Sequence, residues 1–364
     1  MSKIVISGYY GFGNAGDEAM LAAIITAIRK EEAGATITVI SGNPAQTRAK
    51  HGVEAVGTFA GPAIMKALLG CDLLISGGGS LLQDATSVRN VYYYLSIMSM
   101  AKFLGKKVVL YAQGIGPLTK YTTRRAVKTV LNRMDLITVR DEPSRDLLQA
   151  IGVKDQLVEV TADAVLTMPI ADASRGEARL QAYGLQAGRR RVGIAVRSWK
   201  NQTQYRASLA QALEKLHQSH DVDVVFIPMS HPDDTIEAKA VAELLGHASY
   251  VHVLEESFNT TEFLELAGSV DAMIGIRLHA LVFASLMGKP VLGISYDPKI
   301  DSFLHMIGQE IIGTTENLHA DALYQRLVAL LEGKGDYEGS FAKIQELRES
   351  SFRSAHLALA LLHK

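Results

Sequence analysis

Short apolar runs alternate with amphipathic stretches along the first half of the chain. The apolar runs are KIVIS (3–7), TITVIS (36–41), DLLIS (72–76), KVVLYAQ (107–113), DLITVR (135–140) and LVEVTA (157–162). The segments between them, such as EAMLAAIITAIRK (18–30), repeat apolar residues at helical spacing. Continuous apolar strands separated by helices are typical of a parallel sheet covered on both faces. Since crossovers in such sheets are right-handed, the pattern predicts a doubly wound Rossmann-like domain.

The alternation stops at residues 169–190, where charges, alanines and glycines replace the apolar run, and then resumes. The later strand-like runs are RVGIAVRS (191–198), DVDVVFIPMS (221–230), YVHVL (250–254), DAMIGI (271–276) and PVLGIS (290–295). We therefore expect a first domain over 1–168, a linker over 169–190, a second doubly wound domain over 191–336, and a helical segment over 337–364 that packs back on the first domain. Two such domains face a cleft, and ligands bind outside the carboxyl ends of the strands.

Composition and charge restrict the possible functions of the chain more than they restrict its fold. The chain has 364 residues and a formal net charge of −1, so no overall basic field would attract nucleic acid. The short basic clusters at 122–128 and 188–193 are expected to be solvated faces. The single cysteine, Cys71, excludes an intrachain disulfide and a four-cysteine metal site. The first residues match no secretion signal and no run of about 18 apolar residues occurs, so we expect a cytoplasmic protein.

The loop after the first strand resembles a dinucleotide site. In GYYGFGNAGDE (8–18), three glycines match G-x-G-x-x-G. Two features argue against a pyrophosphate ligand: acidic residues occupy the first turn of the next helix, and no acid ends the second strand to bind a ribose. We expect the loop to present Asn14, Gly16 and Asp17 to the cleft. Asp17 either caps the helix or binds or deprotonates a sugar hydroxyl.

Three further strands of the first domain are followed by candidate ligand-binding residues. In SGGGSLLQD (76–84), Gly78 and Gly79 would let backbone approach a ligand closely and form an anion-binding nest. No lysine follows in the position that a P-loop requires. Gln113 ends the next strand and Arg140 ends the one after it, which places both at the same edge of the sheet.

Polar side chains also follow the strands of the second domain, namely Arg197, Ser230, His231, Arg277, His279 and Lys299. Arg277 and His279 lie between a strand and a helix. A helix N-terminus and an arginine both favour an anion, so the pattern predicts an anion site with a titratable neighbour. The alternative for His279 is a capping or core histidine. No cluster has metal-ligand spacing, and G-x-S-x-G is absent.

Taken together, the motifs carry a family resemblance. They are G-[YF]-x-G-x-x-N-x-G-D-E at the start, S-G-G-G near 77, A-Q-G-I-G-P near 114, V-R-D-x-x-S at 139, T-x-D near 161 and G-x-R-L-H-A at 275–280. Their order and spacing resemble the polysaccharide pyruvyltransferase family, from residue 4 to about 300. In particular the chain looks like the bacterial members that modify lipid-linked N-acetylmannosamine units of cell-wall polymers.

The resemblance implies a fold similar to the glycosyltransferase-B type. It also implies phosphoenolpyruvate as donor, a sugar diol of a lipid-linked or polymeric acceptor, and a cyclic ketal with released phosphate as products. No cofactor and no metal are implied. A ketal at the 4,6 position would be common for a hexose in this family.

The resemblance also suggests roles for the candidate residues. Two of them are the catalytic candidates. His279 would protonate either the methylene carbon or the leaving phosphate, and Asp17 would act either as the base or as a ligand of the acceptor, so the assignment of acid and base stays open. The donor anions would contact Arg197, Arg277, Lys299, Ser230 and His231. The acceptor would contact Asn14, Gly16, Gly78, Gly79, Gln113 and Arg140.

Two rival functions stay open at this point. One is a nucleotide-sugar glycosyltransferase on the same fold, which would use Arg277 for a diphosphate. The other is a non-catalytic sugar-binding protein. Peripheral contact with the inner membrane surface is expected only through the acceptor. The segment 91–104 could touch lipid, although its spacing favours a buried crossover helix. The oligomeric state is left open.

Overall fold

The computed structural model describes residues 1–85, 87–200, 202–334 and 337–363. The chain forms two compact units. The first comprises Met1–Met168 and Glu346–Lys364, and the second comprises Pro169–Gln345. Each unit contains one parallel sheet covered by helices, so the predicted fold class of two doubly wound Rossmann-like domains is confirmed.

The sheet of the first unit has seven parallel strands. They are β1 (Lys3–Ser7), β2 (Thr36–Ser41), β3 (Glu54–Gly57), β4 (Leu73–Gly77), β5 (Lys107–Gln113), β6 (Leu136–Val139) and β7 (Val158–Val160). Their order is β3-β2-β1-β4-β5-β6-β7, so the chain moves outward in one direction as far as β3 and then restarts beside β1 with β4.

The six-stranded sheet of the second unit repeats this plan. Its strands are β8 (Arg191–Ala195), β9 (Asp223–Phe226), β10 (Val251–Val253), β11 (Ala272–Gly275), β12 (Val291–Ser295) and β13 (Ile311–Thr314). The order is β10-β9-β8-β11-β12-β13, and the reversal falls between β8 and β11.

Helices connect most of the strands. They are α1 (Ala15–Glu31), α2 (Pro44–His51), α3 (Gly61–Gly70), α4 (Val88–Phe103), α5 (Tyr121–Leu131), α6 (Glu142–Ala150), α7 (Ala173–Ala182), α8 (Gln204–His220), α9 (Asp233–Leu244), α10 (Thr260–Gly268), α11 (Leu278–Leu286), α12 (Pro298–Met306), α13 (Ala320–Leu331) and α14 (Tyr337–Ala360).

The cores form because each helix buries one apolar face on its sheet. In the first unit, Leu68 of α3, Met98 of α4 and Leu131 of α5 pack with Leu74 and Leu110 of the sheet in one buried cluster. All five side chains are inaccessible to solvent. Burial of apolar area on this scale is the main favourable term in folding.

Outside residues 169–190, six of the strands and α-helices are not among the predicted elements. In the first unit these are α2, β3 and α3, and in the second they are α12, β13 and α13. The sequence PAQTRAKH of α2 is mostly polar, and only Thr47 in it is buried. Strand β3 has only four residues and lies at the edge of its sheet. Short edge elements bury little apolar surface and therefore leave a weak periodic signal.

The segment 169–190 contains a helix, α7, and belongs to the second unit. Gly176 of α7 is buried against α10, and a Cβ on it would lie well inside van der Waals contact of the backbone oxygen of Glu265. The side chain of Ser269 donates a hydrogen bond of 2.8 Å to the oxygen of Ala173 at the start of α7. A packed helix therefore replaces the expected linker, and its small apolar content explains why the pattern concealed it.

We expect Gly176→Ala to lower the free energy of unfolding by about 2 kcal/mol, because the backbone of α10 cannot move aside for a Cβ. The matched control is Gly70→Ala, since Gly70 also lies in a helix but a Cβ on it would meet nothing within 4 Å. The control should be as stable as the original protein or slightly more stable. Urea denaturation followed by circular dichroism measures both variants. Equal stability of the two variants would contradict the packing of α7 on α10.

Candidate functional site

The strand order marks one edge of each sheet as the place for a ligand. Loops that follow neighbouring strands diverge where the order reverses, which leaves room outside the carboxyl ends. In the first unit these loops follow β1 and β4, and in the second they follow β8 and β11. The residues singled out from the sequence belong to these loops or to those of adjacent strands, except Arg140, which follows β6, two strands from β4.

The N-terminal turn of α1 is capped by Asn14. Its Oδ1 accepts hydrogen bonds from the N–H groups of Gly16 at 3.0 Å and Asp17 at 3.3 Å. The alternative that Asp17 caps the helix is therefore wrong. The cap also uses the Asn14 oxygen and the Gly16 N–H, two groups that the sequence assigned to the acceptor.

Asp17 lies beside the glycine-rich loop after β4. It is half-buried, and a Cβ on Gly79 would lie 3.2 Å from Asp17 Oδ1. Burial raises the pKa of the Tyr10 and Tyr94 hydroxyls, and the Asp17 carboxylate raises them further. The structure thus brings together the predicted candidates Asp17 and Gly79, with two tyrosines close to the carboxylate.

Tyr10 explains the glycines after β4, and the sequence reading missed it. Its hydroxyl donates a 2.7 Å hydrogen bond to the oxygen of Gly77. A Cβ on Gly78, which has φ of +106°, would lie 3.0 Å from that hydroxyl oxygen. The N–H of Gly79 points to Met20 Sδ at 2.8 Å. The glycines therefore admit the tyrosine ring, and the amide of Gly79 is not directed at an anion.

Glu18 anchors the opening loop. Its Oε1 accepts a 2.7 Å hydrogen bond from the N–H of Gly11, and its Oε2 lies 3.7 Å from His51 Nε2 and 3.8 Å from Lys50 Nζ. Burial raises the pKa of the Glu18 carboxyl, but the contacts with His51, Gly11 and Lys50 outweigh it and hold that pKa below its usual value. In the G-D-E sequence, the candidate site residue Asp17 is therefore followed by a residue with a structural role, Glu18.

Arg140 forms buried ion pairs within the first unit. Its Nη1 donates to Asp163 Oδ2 at 3.0 Å, and its Nε lies 3.5 Å from Asp141 Oδ2. Its Nη2 reaches Ser80 Oγ at 3.5 Å. Asp141 in turn caps α6 through Ser144. These contacts give the V-R-D-x-x-S and T-x-D motifs a structural role, and they commit the Arg140 guanidinium to carboxylates of its own unit.

Gln113 is the last residue of β5, at the carboxyl edge of the first sheet, and it is fully buried. Its Nε2 donates to the oxygen of Ser76 at 3.3 Å. Its Oε1 is buried and has no hydrogen-bond partner within the described part of the chain. Gln113 therefore supports the junction of β4 and β5 rather than projecting outward.

Arg277 of the second unit is held by a carboxylate that the sequence reading did not assign. The guanidinium forms a two-pronged contact with Asp234, in which Nε donates to Oδ2 at 2.8 Å and Nη2 donates to Oδ1. Asp234 is completely buried, and its Oδ2 also accepts the N–H groups of Met229 and Ser230. A buried carboxylate with four donors fixes the orientation of Arg277 at the start of α11.

Arg197 lies close to Arg277 and has a different environment. Its Nη1 donates to the Tyr296 hydroxyl at 2.6 Å. The guanidinium carbon lies 4.8 Å from the ring centroid of Tyr296 and 5.1 Å from that of Trp199. No carboxylate of the described residues forms an ion pair with Arg197, and its Nε has no hydrogen-bond partner among them.

The electrostatics of Arg197 follow from this environment. Burial lowers the pKa of its guanidinium, and the cationic Arg277 lowers it further. Arg197 and Arg277 carry two positive charges, and Asp234 neutralises one of them. Positive charge is therefore in local excess. Such an excess, flanked by aromatic rings, is suited to a small anion.

The remaining predicted residues of this unit lie at the same edge of the sheet. Lys299 Nζ is 5.1 Å from the Tyr296 ring centroid and 3.7 Å from Asp297 Oδ2. His279 is half-buried in the first turn of α11, with its ring centroid 6.4 Å from that of Phe283.

Ser230 and His231 follow β9. The Ser230 N–H donates to Asp234 at 3.0 Å, so its backbone helps to hold the carboxylate that binds Arg277. His231 is exposed, and its Nδ1 lies 2.9 Å from Thr235 Oγ1 on the next helical turn. The structure therefore ties Ser230 to the arginine pair and points to a local role for His231.

The described residues contain neither a metal-binding cluster nor a membrane-spanning helix. Among them, no three His, Cys, Asp or Glu side chains are grouped so that they could bind one metal ion. Within the same ranges, no helix has the length and apolar character needed to cross a membrane.

We expect Asp234→Asn to lower the free energy of unfolding by about 3–5 kcal/mol, because Arg277 would lose its buried carboxylate. The matched control is Asp233→Asn, since Asp233 is adjacent but exposed and loses only a favourable interaction with the helix dipole, at most about 1 kcal/mol. Urea denaturation measures both. A loss of equal size in the two variants would show that the ion pair does not fix this edge.

Solved structures of nucleotide-sugar enzymes are similar to the whole chain. A putative UDP-N-acetylglucosamine 2-epimerase from Listeria monocytogenes has a TM-score of 0.69 at 15% identity, covering 98% of this chain and 95% of that one. The UDP-GlcNAc 2-epimerase from Neisseria meningitidis has a TM-score of 0.66 at 14% identity, with all of both chains covered. Anabaena Alr3699/HepE, solved with UDP and glucose, has a TM-score of 0.62 at 15% identity over 99% and 98%. At these identities the likeness shows the fold, which is of the glycosyltransferase-B type.

Sequence comparison goes further than the fold. The amylovoran biosynthesis protein AmsJ from Erwinia amylovora is 21% identical over 94% of this chain and 95% of its own length. The family model for polysaccharide pyruvyl transferase matches residues 14–298, which include the α1 cap, the loops after β4 and β8, and the Arg277–His279 turn after β11. The resemblance read from the motifs is confirmed, and the chain belongs to the polysaccharide pyruvyl transferase family, whose members are transferases that act on polysaccharides.

Proposed function

We propose that the protein transfers a pyruvyl group from phosphoenolpyruvate to a sugar diol of a cell-wall polysaccharide precursor. The acceptor in this proposal is a lipid-linked N-acetylmannosamine unit, the product is a 4,6-type cyclic ketal, and inorganic phosphate is released. The reaction takes place in the cytoplasm at the inner face of the membrane. The observation that carries the proposal is the unneutralised Arg197 beside Arg277 in a member of this family.

The donor is matched by the charges of the second unit. Phosphoenolpyruvate carries a carboxylate and a phosphate, and both need cationic partners. Arg277 is aligned by Asp234, and Arg197 has no carboxylate of its own among the described residues. Lys299 supplies a third cation near Tyr296. In the proposed complex Arg197 and Lys299 bind one anionic group, and Arg277 with the N-terminus of α11 binds the other.

The proposed chemistry uses one proton donor, His279, and one proton acceptor, Asp17. His279 donates a proton to the methylene carbon of phosphoenolpyruvate, which makes the central carbon electrophilic. A sugar hydroxyl adds to that carbon and gives its proton to Asp17. The bond from carbon to the phosphate oxygen breaks, the phosphate leaves with the electron pair, and the second hydroxyl adds to close the ketal as its proton passes to the phosphate. The arginines stabilise the charge that builds up on the leaving phosphate.

We expect His279→Ala to reduce acceptor-dependent phosphate release by about 10²–10⁴-fold, because the proton donor is lost. Arg277→Ala should also abolish phosphate release, because it removes a cation that binds one of the two anionic groups of phosphoenolpyruvate. The measurement is phosphate release from phosphoenolpyruvate with and without an N-acetylmannosamine-terminated lipid acceptor. The control is His319→Ala, because His319 is exposed and its side chain does not cap α13.

Circular dichroism should show that all three variants are folded. If no acceptor supports phosphate release, while a UDP-sugar is consumed and His279→Ala abolishes that reaction, the function would instead be glycosyl transfer. The mechanism would need another acid if His279→Ala released phosphate at the original rate.

The arrangement of Arg197 on Tyr296 leads to a separate expectation for donor affinity. Tyr296→Ala should raise the KM for phosphoenolpyruvate by about tenfold or more, because Arg197 loses its hydrogen bond and a ring contact. Tyr296→Phe keeps the ring and should raise KM only a few-fold. Trp199 is the only tryptophan of the chain, so its fluorescence reports donor binding directly. An unchanged fluorescence titration in Tyr296→Ala would show that Arg197 does not bind the donor.

A further inference from the structure

A long part of the first unit is basic, although the chain as a whole is nearly neutral. Residues 85–134 contain nine Lys and Arg residues and no Asp or Glu, while the formal net charge of the chain is −1. The segment includes α4, β5 and α5. A charge asymmetry of this size within one domain indicates a partner of negative charge.

Five of these nine basic residues lie on the outer side of α5 or just beyond its ends. The helix buries Thr123, Val127 and Leu131 and turns the rest of its surface to solvent. Its exposed positions follow helical spacing and continue just beyond its ends. They are Lys120, Tyr121, Arg124, Arg125, Lys128 and Arg133, which we call the basic face.

No acid of the first unit neutralises the basic face. None of its side chains forms an ion pair with a carboxylate of the described residues. The two acidic residues that flank the segment, Asp84 and Asp135, both form hydrogen bonds within the first unit. Asp84 is buried and accepts hydrogen bonds from the N–H groups of Thr119 at 2.8 Å and Lys120 at 2.9 Å. Asp135 accepts a hydrogen bond from Lys102 at 2.7 Å.

Exposed apolar side chains lie at both ends of the helix layer to which α5 belongs. Tyr121 on the basic face is 75% exposed, Phe103 at the end of α4 is 89% exposed, and Leu69 of α3 is 57% exposed. Helices α3, α4 and α5 cover the same face of the sheet, since their inner sides share one core cluster. Exposed apolar groups cost free energy in water, and they favour a partner that offers an apolar environment.

We propose that the basic face binds an anionic lipid bilayer, with Tyr121 entering the headgroup region. Lys and Arg around an aromatic residue match the composition of a membrane surface, which offers both negative headgroups and an apolar interior. A soluble polyanion would satisfy the charges but not the exposed Tyr121. This proposal refines the lipid-linked acceptor of the proposed function, and it rests on that function only for the reason why membrane contact would be useful.

The proposal places the lipid contact on α5 and not on residues 91–104, the segment for which the sequence left lipid contact open but favoured a buried crossover helix. Residues 91–104 form most of α4, whose Val91, Leu95, Ile97 and Met98 are buried in the core. Among the large apolar side chains of that segment, Phe103 is 89% exposed and Tyr92 is 43% exposed. The charges of α5 rather than the aromatic residues of α4 therefore carry the contact.

The test is co-sedimentation of the full chain with vesicles, in the absence of donor and acceptor, so that it does not depend on the enzymatic reaction. The original protein should bind vesicles of phosphatidylcholine with 30% phosphatidylglycerol at least tenfold more tightly than pure phosphatidylcholine vesicles, taking about tenfold as the effect of a few charges. Arg125→Gln/Lys128→Gln/Arg133→Gln should weaken binding to the anionic vesicles on the order of 100-fold. Added salt should release the protein.

The matched control is Lys239→Gln/Lys334→Gln/Lys343→Gln, which removes three exposed charges from the second unit. It should bind anionic vesicles as the original protein does. Equal loss in both triple variants would overturn the proposal, because net charge rather than the basic face would then decide binding. Binding to a soluble anionic polysaccharide without binding to vesicles would also overturn it. Tyr121→Ser should weaken binding to the anionic vesicles at low salt, and an unchanged affinity would contradict insertion of the ring.

Discussion

The single reversal of strand order in each parallel sheet is the constraint on which the rest of this structure depends. All strands of a sheet run the same way, so every loop that follows a strand emerges at one edge. The reversal between β1 and β4, and again between β8 and β11, leaves adjacent loops that diverge. Residues far apart in sequence therefore meet, as Asp17 meets Gly79 in the first unit and Arg197 meets Tyr296 in the second.

Burial and pairing then distinguish cations that look alike in sequence. Arg140, Arg197 and Arg277 each follow a strand. Arg140 is neutralised by Asp163 and Asp141, and Arg277 is aligned by Asp234. Arg197 is held only by a hydroxyl and two aromatic rings, beside another cation that lowers its pKa. A half-buried cation without a carboxylate is unfavourable in the unliganded protein, and an anionic ligand relieves that cost.

The family motifs also divide into those whose residues have a structural role and those that place residues at the candidate site. V-R-D-x-x-S and T-x-D build the carboxyl edge of the first sheet through Arg140, Asp141 and Asp163, and S-G-G-G makes room for Tyr10. G-x-R-L-H-A instead presents Arg277 and His279 at a helix start. A motif that identifies the family thus combines residues that hold the scaffold with residues that are available for chemistry. The basic face lies outside all of these motifs, on the outer side of a crossover helix.

The sequence by itself determined the fold class, most of the strands and the family, because buried parallel strands leave continuous apolar runs and the motifs keep their order. It did not show β3, α2 or α7, since these short elements bury few apolar side chains. Nor did it show that Asp234 pairs with Arg277, that Arg140 is committed internally, or that Asn14 rather than Asp17 caps α1. Only the tertiary structure decided these points. Ion pairs and caps depend on distances between side chains on different strands and turns, and spacing along the chain does not encode those distances.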